Sequence, residues 1–110
     1  MPRWLESVLE RVRELASAGR VSFTHKALRE LADLDLGLDE DDCCGVLKEL
    51  ATTDSAGRIR STITGEWMYV FKPTVTGTRL YLKLILRGSC IVISFHEEGN
   101  EHGTQDSAEG

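Results

Sequence analysis

The stretch Arg79 to Glu97, RLYLKLILRGSCIVISFHE, constrains the fold of this chain more than any other. Two alternating runs flank Gly88-Ser89, which reads as a two-residue hairpin turn with glycine at the first central position, as a type II′ turn prefers. With Arg87 opposite Cys90, Ile85 faces Val92, Lys83 faces Ser94 and Tyr81 faces His96, and the period of two puts all eight on one face. The other face carries Leu80, Leu82, Leu84, Leu86, Ile91, Ile93 and Phe95, with no polar side chain among them. Burying one Leu or Ile is worth about 1.5–3 kcal/mol, so this wall requires a cover.

The preceding half supplies one. Leu5, Val8, Leu9, Val12, Leu15 and Ala16 recur at helical spacing, predicting a helix from about Pro2 to Ala18. Arg20 to Phe23 reads as a short strand. Thr24 caps a second helix with Leu28, Leu31 and Ala32 inward, and Asp39 caps a third that runs to about Thr52. Arg58 to Ile63 and Glu66 to Lys72 read as strands around Thr64-Gly65, and Thr74 to Thr78 as a loop. The expected fold is α+β: three helices on one face of a mostly antiparallel sheet, built from a short first strand plus four C-terminal strands. Residues 1–98 are expected to form the single domain, and 99–110, with no large apolar residue, a disordered acidic tail. His102 belongs to that tail and is assigned no role.

Composition limits the function classes. No apolar run approaches the roughly 20 residues of a membrane span, and no signal peptide is expected before the first helix. Three cysteines, two of them adjacent, make neither a zinc pattern nor a disulfide framework, so a cytoplasmic protein without metal or cofactor is expected. Cys43 lies on the apolar stripe of the third helix, and core packing is the better account of it.

The net charge of −5 is unevenly distributed. Residues 56–96 hold Arg58, Arg60, Lys72, Arg79, Lys83 and Arg87 against Glu66 alone, whereas the segments on either side are acidic. Polyanion binding follows the local field rather than the total, so a cationic sheet is expected to meet nucleic acid. Tyr81 across from His96, with Lys83 one pair away, suits a phosphodiester: an imidazole ordinarily titrates near neutrality and moves protons, and an ammonium holds phosphate. Trp67, Tyr69 and Phe71 share a face with Arg58 and Arg60, which reads either as a base-stacking surface or as core.

The Asp-Cys-Cys opening of the third helix, WMYVFKP, the Gly-x-x-x-Tyr-Leu-Lys run and ISFHE together resemble the MqsR (motility quorum-sensing regulator) family, from about Leu5 to Glu98. These are ribonuclease toxins of type II toxin–antitoxin modules, with a fold related to the RelE toxins. The resemblance implies an mRNA interferase that needs no metal, leaves a 2′,3′-cyclic phosphate and a 5′-hydroxyl, and is held inactive by a cognate antitoxin. It places the family's tyrosine on Tyr81 and its lysine on Lys83. A second family lysine falls on His96, a third near Arg58 or Arg60, and a glutamine on Met68. The catalytic set expected is Tyr81, His96, Lys83 and Arg58, and Arg60, Arg79, Lys72, Trp67 and Tyr69 are expected to meet RNA. The competing reading is a non-catalytic module that binds RNA or a protein partner, for which Met68 in place of an amide speaks.

Overall fold

A computed structural model describes residues 2–99; the expected tail beyond Gly99, with His102, lies outside the described residues. The elements run α1 (Arg3–Ser17), β1 (Val21–Phe23), α2 (His25–Asp33), α3 (Glu40–Lys48), β2 (Ser55–Arg60), β3 (Trp67–Phe71), β4 (Thr74–Val75), β5 (Thr78–Leu86) and β6 (Cys90–Glu97), with a 3-10 turn at Thr52–Asp54. The sheet order is β1-β6-β5-β3-β2, with β4 attached to β5, and every pairing is antiparallel except β1 with β6. The α+β expectation of three helices on a mostly antiparallel sheet holds.

The helices follow their local chemistry. Pro2 stands just ahead of α1 in extended backbone, where its missing N–H costs nothing, and its carbonyl accepts from Leu5 N–H. Thr24 Oγ1 accepts from Ala27 N–H at the start of α2. Asp39 and Asp42 form a reciprocal capping box on α3, and the Asp42 backbone N–H holds the Asp39 carboxyl below its ordinary pKa. α2 stops at Asp33 and α3 at Lys48, both earlier than the apolar spacing suggests, and Ala32 is exposed.

The core joins Leu5, Leu9, Val12 and Leu15 of α1, Ala27 and Leu31 of α2, and Cys43 and Leu47 of α3 to Phe71, Leu80, Leu82, Leu84, Cys90, Val92 and Phe95 of the sheet. Burial pushes the Cys43 and Cys90 thiols up to about 12, so both stay protonated and behave as small apolar side chains.

The central hairpin departs from the expected register in one place. Leu80↔Glu97, Tyr81↔His96, Leu82↔Phe95 and Lys83↔Ser94 are as read, but nearer the turn the pairs are Leu84↔Val92, Ile85↔Ile91 and Leu86↔Cys90. Ile93 is the extra residue of a β-bulge, and the turn is the three-residue loop Arg87-Gly88-Ser89. Gly88 lies outside the left-handed region, so the type II′ turn does not form. In consequence Cys90 and Val92 face the helices, while Ile91 and Ile93 join Ile85 and Met68 around a cavity of 220 Å³ on the opposite, outer face.

Two smaller departures concern the other strands. β2 ends at Arg60, and Ser61 to Glu66 form a longer loop in which Ser61 Oγ accepts from Ile63 and Thr64 N–H. Thr74–Val75 pairs with Thr78–Arg79 instead of looping, because Thr76 and Gly77 both adopt positive φ (47° and 82°), as a two-residue hairpin turn demands.

Candidate active site

The core lies between the helices and one face of the sheet, and the open end of the other, outer face gathers polar groups. β5 and β6 place Tyr81 and His96 directly opposite each other, with their rings parallel (7° between planes) and their centroids 5.0 Å apart. His96 is buried to 7% exposure. Its Nδ1 lies 3.0 Å from the Glu97 carbonyl; because a carbonyl only accepts, this bond puts the proton of the neutral ring on Nδ1 and leaves Nε2 as the basic nitrogen.

One pair along, Lys83 faces Ser94 on one side and Val70 on the other. Lys83 is 2% exposed and forms no ion pair among the described residues. An ammonium so enclosed without a carboxylate favours an anion beside it. Ser94, 0% exposed, also accepts from Lys26 Nζ at 2.9 Å, an α2 residue absent from the sequence-derived set. Lys26 carries no local signal, since it is one lysine on the polar side of an amphipathic helix. Only the parallel β1–β6 pairing brings it here.

At the rim of the same face, Lys72 Nζ and Arg79 Nε share Glu98 at 2.9 and 3.2 Å. The Lys72 bond and both positive charges hold the Glu98 carboxyl below the ordinary glutamate range. These two expected RNA contacts are therefore already neutralised in part.

Arg58, Arg60, Trp67 and Tyr69 lie elsewhere. Arg58 pairs with Tyr69 and Arg60 with Trp67, and Tyr69 in turn pairs with Leu84 of the core, so all four belong to the helix-side face. There the Arg58 guanidinium sits 3.9 Å from the Trp67 ring centroid and 4.8 Å from that of Trp4 on α1, while Arg60 sits 4.1 Å from Trp67. Trp4 and Tyr69 touch at 5.6 Å between centroids. Gly57, at φ 99°, makes the bulge between Ser55 and Arg58 that sets this register. The structure thus brings Tyr81, His96 and Lys83 together, with Lys72 and Arg79 at their edge, and puts Arg58 on the other side of the sheet.

No helix among the described residues is long and apolar enough to cross a membrane, and no group of three or more His, Cys, Asp or Glu among them could hold a metal ion. Comparison with known proteins gives two findings. The chain is 33% identical over 94 residues to the mRNA interferase toxin MqsR of Escherichia coli (strain K12), an alignment covering 82% of this chain and 91% of that protein. The model of the family described as "motility quorum-sensing regulator, toxin of MqsA" matches residues 6–97, from within α1 to the last residue of β6, and includes Lys26, Lys72, Arg79, Tyr81, Lys83, Ser94 and His96. The chain belongs to the MqsR toxin family.

Proposed function

We propose that this protein is the toxin of a type II toxin–antitoxin module and acts as an mRNA interferase, an endoribonuclease that a cognate antitoxin neutralises. Family membership and the activity named for the Escherichia coli relative support the reading. The observation that carries it within this chain is the stacked Tyr81–His96 pair with Lys83 one step along the same sheet face.

The proposed reaction uses side chains alone. His96 Nε2 takes the proton from a ribose 2′-OH, whose oxygen attacks the adjacent phosphorus. The P–O5′ bond breaks, the phenol of Tyr81 gives its proton to the departing 5′-oxygen, and the products are a 2′,3′-cyclic phosphate and a 5′-hydroxyl. Lys83 stabilises the negative charge that builds on the phosphorane oxygens, an interaction strengthened by its low exposure. Proton return from His96 to Tyr81 through solvent resets the site. Arg58 and Arg60, across the sheet, are assigned to flanking RNA rather than to the reacting phosphate, and Trp67 and Tyr69 to the ring platform beneath them.

End-labelled RNA incubated with the purified protein in EDTA tests the proposal. The expected products carry the cyclic phosphate and the 5′-hydroxyl. Intact RNA, or 5′-phosphate ends, would overturn it.

A further inference from the structure

β1 ends at Phe23, opposite Val92, but β6 runs on through Ser94, Phe95 and His96. α2 takes over that exposed edge. Thr24 N–H donates to the Val92 carbonyl at 3.1 Å, Thr24 Oγ1 to the Ile93 carbonyl at 3.4 Å, and Phe95 N–H to Glu30 Oε1 at 2.9 Å. The second Glu30 oxygen holds Lys26 Nζ at 2.8 Å, and the same ammonium donates to Ser94 Oγ at 2.9 Å.

A Lys–Glu pair four residues apart on a helix is ordinarily a solvated surface pair of small worth. This one is turned against the sheet, with side chains only 27% and 21% exposed. Ser94 is the cross-strand partner of Lys83, and such partners have Cβ atoms about 5 Å apart. The buried Ser94 thus stands across the strands from Lys83 and accepts a hydrogen bond from Lys26 of the helix. Glu30, which pairs with Lys26, also accepts a backbone N–H of β6.

We propose that Lys26 is a further phosphate-binding residue of this site, holding an RNA backbone phosphate together with Lys83, with Glu30 as the counter-ion that the phosphate displaces. This rests on the ribonuclease reading above. The arrangement explains why the pair is recessed: Glu30 is tethered to β6 through Phe95 N–H, so Lys26 stays beside Ser94 when its charge is transferred to a ligand.

The test is fluorescence anisotropy with an RNA made uncleavable by 2′-deoxy substitution, over a range of salt, beside cleavage of the all-ribose RNA. Lys26→Met should weaken binding about tenfold and lower the salt slope by about 0.7, the value for one phosphate contact on a single strand. Lys26→Arg should restore affinity. Glu30→Gln should tighten binding about two- to threefold, because a carboxamide oxygen still accepts from Phe95 N–H while its –NH2 releases the ammonium.

Unchanged affinity and slope in Lys26→Met overturn the proposal, as does weaker or unaltered binding in Glu30→Gln, which would make the pair a structural latch alone. If Lys26→Met does not fold, the direction of the Glu30→Gln change decides. If the wild type cleaves RNA and the variants bind as it does, only the Lys26 assignment fails. If the wild type binds without cutting, the ribonuclease reading fails and Lys26 is still judged on binding. If it neither binds nor cuts, both are overturned.

Discussion

The two faces of this sheet carry similar charges to different ends. On the helix side, Arg58 sits over the rings of Trp67 and Trp4 and Arg60 over that of Trp67, so each guanidinium already has an aromatic partner. On the outer side, Lys83 stands across the strands from a buried serine that accepts from Lys26, and His96 stacks on Tyr81. A cation on an aromatic face gains about 0.5–1 kcal/mol at an exposed site, and a base must displace it before stacking there. An enclosed ammonium gains most when an anion arrives. The first arrangement holds a strand edge against α1, and the second is suited to receive phosphate. A cationic stretch of sequence is therefore not one surface but two.

The sharpest way to break this contrast is His96→Ala. Loss of a positioned proton-transfer group should reduce single-turnover cleavage by about 10²–10⁴ while the circular dichroism spectrum is retained, and undiminished cleavage would remove the imidazole from the reaction. Lys83→Ala should come next, weakening RNA about tenfold with a shallower salt dependence.

Glu98→Gln probes the rim. Releasing Lys72 and Arg79 should tighten RNA by about two- to threefold at low salt. The same residue predicts a pH effect. Its folded pKa is lowered, so its pairs contribute stability above the ordinary glutamate range, and that contribution disappears as pH falls through the folded value. Thermal melts from pH 7 into the acid range should show a smaller acid loss in Glu98→Gln than in wild type. Equal losses would mean the ion pairs do not persist in solution.

The smallest effect is expected on the other face. Arg58→Ala should change RNA affinity by no more than about threefold and leave cleavage at saturating RNA intact, its main cost being a modest drop in melting temperature. A loss as deep as that of His96→Ala would put the guanidinium at the reacting phosphate and merge the two faces into one site.

The sequence disclosed the paired end of the hairpin because Tyr81, Lys83, Ser94 and His96 alternate with apolar residues, so only one register buries the latter. Near the turn that contrast vanishes. Ile91, Val92 and Ile93 are all apolar, either face would accept them, and the bulge leaves no mark in the pattern. The helix starts were legible through Thr24 and Asp39, whose side chains act on the next turn of backbone. Lys26 was not, because its role depends on a parallel pairing between Val21–Phe23 and a strand nearly seventy residues further along. The position of Arg58 escaped for a related reason: charge counts along a chain say nothing of which side of a sheet each residue faces.

The extra residue at Ile93 has a mechanical consequence. Between it and the distal loop, β6 is in one phase; beyond it, in the other. A residue gained or lost at Arg87-Gly88-Ser89 can be absorbed there by shifting or erasing the kink, leaving phenol and imidazole still aligned across the strands. The far loop is thus free to vary in length and contacts, and the stacked pair is insulated from that variation.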